Sequence, residues 1–116
     1  MTQSATFEEI SPSELTERCR DGELWQLLDV REPWEIEIAR VRQSDRMPTS
    51  NIPMAEIPAR YNELETAQPV AVLCHSGGRS ARVAAFLIQQ GFPRVANVKG
   101  GIDAWSGEVD PSLPRY

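Results

Sequence analysis

The sequence is poor in the residues that build metal centres and membrane spans. It has one histidine, His75, and two cysteines, Cys19 and Cys74, among 116 residues. His75 adjoins Cys74 and Cys19 is remote, so these residues cannot supply the usual tetrahedral zinc set. The longest clearly apolar runs, such as residues 83–88, fall far short of the ~20 residues that cross a bilayer. No apolar segment with a basic start opens the sequence, since the first basic residue is Arg18. We therefore expect a cytoplasmic protein with free thiols and no membrane partner.

The composition indicates a folded domain without a nucleic-acid partner. Hydrophobic residues make up 41% and charged residues 25%, close to the average for globular domains. The length predicts a single domain over residues 1–116. The net charge is −5, which lacks the basic footprint of a nucleic-acid binder. Residues 1–58 carry 12 acids and 6 bases, whereas residues 59–116 carry 5 acids and 6 bases, so the second half is the better place for an anion.

Apolar periodicity and turn residues predict alternating strands and helices. Strands are predicted at residues 6–10, 25–30, 69–73 and 94–98, with an extended segment at 51–54. Helices are predicted at 12–21, 33–39, 55–64 and 80–90, with a short one at 100–105. Strands joined by helical crossovers imply an α/β fold with a mostly parallel sheet of about five strands and helices on both faces. The core is expected over residues 7–105, residues 40–50 are expected to form an exposed loop, and the tail 107–116 is expected to be irregular.

The segment Cys74-His75-Ser76-Gly77-Gly78-Arg79-Ser80 joins the best predicted strand to the best predicted helix. Two glycines permit positive φ, so successive backbone amides can turn toward an anion. The helix N-terminus adds free N–H groups and partial positive charge, and Arg79 adds a cation with a planar donor fork. A cysteine at the start of such a loop is expected to be stabilised as the thiolate. The pattern therefore predicts an anion cradle with a sulfur nucleophile at its floor.

The role of His75 stays open at this stage. A catalytic Cys–His dyad is excluded, because the partners in thiol proteases come from distant segments. His75 either points to the mouth of the loop and contacts substrate or lies in solvent without a role. Cys19, among charged neighbours on the first helix, is expected to be a structural or merely exposed thiol.

Three motifs together resemble the rhodanese family of sulfurtransferase domains, over roughly residues 7–105. The active-site loop of that family is similar to residues 74–80. Its first signature is similar to Leu-Asp-Val-Arg-Glu-Pro-Trp-Glu at residues 28–35, and its C-terminal signature to Gly-Gly-Ile-Asp-Ala-Trp at residues 100–105. Residues 39–48 depart from the His-Ile-Pro-Gly-Ala-like stretch that many members carry, which leaves the donor and acceptor open.

The resemblance implies covalent sulfur transfer. Cys74 would take the outer sulfur of a small anionic donor such as thiosulfate and pass it from a persulfide to cyanide, a thiol or a partner protein. The residues implied to bind the substrate are His75, Ser76, Gly77, Gly78 and Arg79. Asp29, Arg31 and Ser80 are implied to support the loop, although Asp29 and Arg31 could equally be an ordinary ion pair at a strand end. No metal or organic cofactor is implied, and Trp105 with the paired glycines is expected to serve packing and turn formation.

Two other functions remain open from the sequence. Cysteine phosphatases and arsenate reductases use a similar cradle in which five residues separate Cys from Arg, whereas four separate Cys74 from Arg79. Asp29 or Asp45 would have to be the general acid. A persulfide relay or sulfur-carrier module with little thiosulfate turnover is the alternative outside small-molecule catalysis.

Overall fold

The computed structural model describes residues 6–116, so the first five residues of the predicted domain lie outside the described part. Five parallel strands form one sheet in the order β1-β5-β4-β2-β3. The strands are β1 (Glu8–Ile10), β2 (Gln26–Asp29), β3 (Thr49–Asn51), β4 (Val70–Leu73) and β5 (Val95–Val98). The helices are α1 (Pro12–Arg20), α2 (Pro33–Ile38), α3 (Ile57–Arg60), α4 (Gly78–Gln89) and α5 (Gly101–Glu108). The predicted α/β fold with a five-stranded parallel sheet is confirmed.

Alternation along the central strands feeds two hydrophobic layers, one on each face of the sheet. Ala71 and Leu73 of β4 join the layer that α1 and α5 cover. Val70 and Val72 of the same strand join the layer that α3 and α4 cover. A strand buried on both faces reads as a continuous apolar run, because neither side meets water. The predicted helices on both faces are therefore present.

Local chemistry explains the first helix. Ser11 is the N-cap, and its Oγ accepts a hydrogen bond from the Glu14 N–H at 3.1 Å. Pro12 occupies the first helical position, where its missing N–H costs nothing. The helix ends at Arg20, one residue before the predicted end.

The predicted helix at 55–64 is wrong as a continuous element. It consists of two single 3-10 turns, Met54–Glu56 and Tyr61–Glu63, around the four-residue α3. Pro58 has no N–H to close an α-helical turn onto Met54, and the turn before it is closed by the i to i−3 bond from Glu56 N–H to Pro53 O. A second i to i−3 bond, from Leu64 N–H to Tyr61 O, closes the turn after α3.

The expected exposed loop at 40–50 is partly wrong. Val41 and Met47 are buried in the layer beneath α1 and α5, while residues 42–46 between them are exposed. Residues 49 and 50 belong to the edge strand β3, which pairs with β2. The loop therefore contributes apolar side chains to the core and cannot be removed without opening it.

The tail is irregular beyond residue 108, but α5 runs three residues further than the predicted end at residue 105. The Glu108 carboxylate accepts hydrogen bonds from the Ser13 N–H and Oγ at the start of α1, which fixes the last turn of α5. Beyond it, Leu113 and Tyr116 pack against the core. No helix within residues 6–116 is long and apolar enough to span a membrane.

Candidate active site

The carboxyl ends of β2 and β4 lie side by side. Asp29 pairs in register with Leu73, the residue before Cys74. The Asp29–Arg31 turn and the Cys74 loop therefore meet beyond the carboxyl ends of the strands, where ligands bind in open α/β folds. The structure thus brings together the two segments that the sequence analysis singled out.

The Cys74 loop is anchored by the start of α5. The N–H groups of Ile102 and Asp103 donate to the carbonyl oxygens of Cys74 and His75 at 2.9 and 3.1 Å. A Cβ on Gly101 would lie 2.4–2.5 Å from these carbonyl groups, and Gly101 has a φ of +61°. Only glycine fits here, so the expected turn role of the paired glycines is confirmed.

Cys74 lies at the floor of the loop and is 1% exposed. Its Sγ is 3.1 Å from the Gly77 backbone N and 3.2 Å from Ser80 Oγ. Gly77 has a φ of +112°, a left-handed conformation that favours glycine, at the point where the loop enters α4. The loop thus supplies the sulfur with one amide donor and one hydroxyl.

The remaining amides of the loop are unengaged. Within residues 6–116 the following backbone N–H groups donate to no acceptor: His75, Ser76, Gly78, Arg79 and Ser80. Three of them belong to the first turn of α4, where N–H groups have no intrahelical partner and the helix dipole is positive. Free amides beside a sulfur atom can hold the negative charge of a substrate or a leaving group.

Arg79 does not extend freely into the loop. Its Nη1 and Nη2 each donate to the Glu35 carboxylate of α2 at 2.9 Å. Burial is the largest single effect and would raise the pKa of Glu35, but the hydrogen bonds and charge of Arg79, the Glu32 backbone hydrogen bond and the charge of Arg31 together hold that pKa below its ordinary value. The guanidinium keeps the N–H on Nε and one on each Nη for another anion. The predicted donor fork is therefore fixed in place but partly neutralised.

Asp29 and Arg31 form a buried ion pair with a distance of 2.7 Å. Arg31 is fully buried, and its Nη2 also donates to Ala39 O while its Nη1 donates to Tyr116 Oη. Burial is the largest single effect and would lower the pKa of Arg31, but the hydrogen bonds and charge of Asp29 together with the contact to Tyr116 outweigh it and raise that pKa. The pair joins β2, the end of α2 and the tail. The Asp29 carboxylate is engaged by Arg31 and is not available as a general acid.

His75 stacks on Tyr116 of the tail, with ring centroids 4.1 Å apart and planes at 7°. Tyr116 also meets Trp34 edge-on at 6.1 Å. The partners of Cys74 Sγ in the described part of the chain are the Gly77 N–H and Ser80 Oγ, and His75 is not among them. The tail therefore reaches the site, which the expectation of an irregular tail did not include.

Three residues of the site escaped the sequence analysis. Asn97 interrupts the apolar strand β5, and a polar residue inside a fully buried strand is a signal that could have been used. Glu35 lies at the third position of α2 and carries no signal that separates it from Glu32 and Glu37. Tyr116 is far from Arg31 in sequence, and only the tertiary fold shows their contact.

No group of three potential metal ligands converges anywhere between residues 6 and 116. Cys19 is also a free thiol, but it is buried beneath α1 and its burial raises the pKa of the thiol. The expected structural role of Cys19 fits this position.

Comparisons with known proteins agree with the geometry. A family model of the rhodanese-like domain matches residues 11–108, and the chain belongs to this family. Its α/β fold is shared with solved structures of rhodanese-related proteins.

Individual relatives refine the picture. A protein of Allochromatium vinosum named as a sulfurtransferase is 40% identical over 84% of this chain and 87% of its own length. The rhodanese-like/PpiC domain-containing protein 12 of Arabidopsis thaliana is 45% identical over 78% of this chain, but the match spans only 30% of the Arabidopsis protein. The crystal structure of a rhodanese-related protein from Thermoplasma volcanium superposes with a TM-score of 0.73 at 30% identity, covering 93% of this chain and 96% of that one.

Proposed function

We propose that this chain is a sulfurtransferase that carries a sulfane sulfur as a persulfide on Cys74. The observation that carries the proposal is the position of Cys74 Sγ, 3.1 Å from the Gly77 N–H and beside a loop with five further unengaged amides. This arrangement offers a nucleophile and an anion cradle at one place, and the chemistry needs no cofactor.

Each transfer step balances without an added oxidant or reductant. The Cys74 thiolate attacks the outer sulfur of thiosulfate, the sulfur–sulfur bond of the donor breaks, and sulfite leaves with the electron pair. Cyanide or a thiolate then attacks the outer sulfur of the persulfide, and the Cys74 thiolate returns. The amides of residues 75–79 and the unused N–H groups of Arg79 would hold the donor and the departing sulfite. Ser80 contacts Cys74 directly, whereas the Asp29–Arg31 pair would support the loop only indirectly, through α2 and Tyr116.

A phosphatase function is less well supported by the site. The cradle has one residue fewer between Cys and Arg than such enzymes use. Asp29 is held by Arg31, and Asp45 lies in the exposed stretch at 42–46. Neither aspartate that the sequence analysis considered is therefore placed to protonate a leaving alcohol.

A sulfur relay between proteins is the second candidate, and the surface beside the site favours it. Trp34 and Ile38 of α2 are 60% and 40% exposed, one helical turn apart. They flank Glu35, which holds Arg79. An apolar pair at the edge of the site fits a protein partner better than a small donor.

The thiosulfate:cyanide transfer assay tests the proposal. Thiocyanate formation is expected from the wild-type protein and from Cys19→Ser, and it should fall by about 10³-fold or more in Cys74→Ser. Mass spectrometry after incubation with thiosulfate should show one added sulfur on Cys74. A persulfide without turnover would favour the relay, whereas release of phosphate from a generic phosphatase substrate without any persulfide would overturn sulfur transfer.

A further inference from the structure

A buried hydrogen-bond network connects Cys74 with Ser80 of α4 and Asn97 of β5. Ser80 Oγ lies 3.2 Å from Cys74 Sγ and 2.5 Å from Asn97 Oδ1. Ser80 is fully buried, and Asn97 is 3% exposed. Because these side chains are buried, each has to find its hydrogen-bond donors and acceptors within the network.

The orientation of the Asn97 amide follows from its neighbours. Its nitrogen contacts both carboxylate oxygens of Glu9, at 3.1 and 3.2 Å, and the carbonyl oxygen of Gly77 at 3.2 Å. All three can only accept, so the NH₂ group must face them, and a flipped amide would set oxygen against oxygen. Asn97 Oδ1 therefore faces Ser80 and can only accept from it.

Ser80 has a single hydroxyl proton. The geometry allows Ser80 Oγ to donate either to Cys74 Sγ or to Asn97 Oδ1, but not to both. While the proton bonds to Asn97 Oδ1, a hydrogen bond between Ser80 Oγ and the sulfur requires a proton on the sulfur. A thiolate would instead need the Ser80 proton, and its rotation toward sulfur would leave Asn97 Oδ1 without a donor. The Gly77 N–H can donate to the sulfur in either state.

We propose that Asn97 is a positioning residue that holds the Ser80 proton and thereby keeps resting Cys74 as the thiol. When Cys74 ionises or carries the persulfide, the Ser80 hydroxyl turns from Asn97 to sulfur. The inference concerns the same cysteine as the proposed function, but it is read from ionisation of the thiol and needs no turnover.

Charged and titratable groups on several elements surround this hydrogen-bond network. They are Glu9 on β1, Glu35 on α2, His75 and Arg79 in the loop, Asp103 on α5 and Tyr116 in the tail. Neutral substitutions at Ser80 and Asn97 leave all of these charges in place. Asn97→Val also removes the hydrogen bonds from the amide to Glu9 and to the Gly77 carbonyl, so only the part of the change that depends on Ser80 is assigned to the redirected hydrogen bond.

The test measures alkylation of Cys74 by iodoacetamide against pH in a Cys19→Ala background. Asn97→Val, which matches the apolar residues of β5, should move the midpoint of thiolate formation to lower pH. The expected gain is about threefold to tenfold more thiolate below the midpoint, since one competing hydrogen bond of the Ser80 proton is removed. Asn97→Leu serves if the valine variant does not fold.

A double-mutant cycle separates the proposal from a merely structural effect. In a Ser80→Ala background the effect of Asn97→Val should vanish, because Asn97 acts through the serine. Ser80→Thr, which keeps a hydroxyl, should restore the wild-type profile. Ser106→Ala removes another buried serine hydroxyl, bonded to Leu113 O at 2.9 Å, and should leave the midpoint unchanged.

An unchanged or higher midpoint in the Asn97 variants would overturn the proposal. The same shift with and without Ser80 would overturn it as well. If sulfur transfer is absent in the wild type while the cycle behaves as described, the proposed function fails and the inference on Asn97 stands.

Discussion

Cys19 and Cys74 are both buried thiols, yet their surroundings differ in kind. Cys19 lies at the end of α1 in an apolar layer with Leu15 and Trp25, and burial raises the pKa of its thiol although one backbone hydrogen bond from Trp25 acts in the opposite direction. Cys74 is even less exposed, but its sulfur meets an amide, a hydroxyl and a loop of unengaged N–H groups. Burial therefore does not decide the role of a cysteine. The polar groups arranged around the sulfur do.

The same contrast holds for the chain around each cysteine. Gly22 follows α1 with a φ of +103°, and a Cβ there would meet nothing within 4 Å. Gly101 has a φ of +61°, and a Cβ there would press on the carbonyl groups of Cys74 and His75. The turn near Cys19 is loosely packed, whereas the loop at Cys74 is held from behind by α5. Three predictions test how far this difference reaches, in order of decreasing effect.

Substitution of the two glycines should give the largest difference. Gly22→Ala should cost about 1 kcal/mol, since only its positive φ is unfavourable for alanine. Gly101→Ala adds a clash with backbone atoms and should cost about 3 kcal/mol or more, with loss of sulfur transfer. Urea unfolding and the transfer assay measure both effects. Equal losses of stability in the two variants would show that the anchoring of the Cys74 loop adds nothing.

The anchored Cys74 loop also shows which features of the site could be predicted from the sequence. The strand–loop–helix order predicted the Cys74 loop and its place at the sheet edge, because apolar runs and glycines act locally. The Arg79–Glu35 pair and the Asn97–Ser80 contact depend on how α2 and β5 pack, which no local pattern contains. Packing between distant segments also explains the error at residues 40–50. Val41 and Met47 were expected to be exposed with the rest of that loop, but they are buried, and only the charged residues around them are exposed.

Ion pairs near the two cysteines should differ in their pH dependence. Glu35 and Arg79 bridge α2 and α4, whereas Glu14 and Arg18 lie on the surface of α1. Glu35→Gln should cost about 2 kcal/mol near neutral pH, less than a fully buried pair because Arg79 is a third exposed. Glu14→Gln should cost less than about 0.5 kcal/mol.

The sign of the pH effect follows from the lowered pKa of Glu35. Between this value and the ordinary 4.5, the unfolded chain binds more protons, so stability increases with pH. The contribution is complete above the ordinary value and is lost as pH falls through the lowered one. Urea unfolding at pH 3 and pH 6 should therefore separate Glu35→Gln from the wild type mainly at pH 6. A constant gap at both values would contradict the assignment.

Substitution of Tyr116 should give the smallest change in stability, and it separates two contacts of this residue, the hydrogen bond from Arg31 and the stack on His75. Tyr116→Phe removes the hydrogen bond from Arg31 and should cost about 1 kcal/mol, while it retains the stack on His75. Tyr116→Ala removes the stack as well. If the stack positions His75 for substrate, the transfer assay should show a higher KM for thiosulfate in Tyr116→Ala and a nearly unchanged KM in Tyr116→Phe. An equal rise in KM in both variants would assign the effect to the hydrogen bond from Arg31. Tyr116 would then act on the Cys74 region by stabilising the buried Arg31 charge and not by stacking on His75.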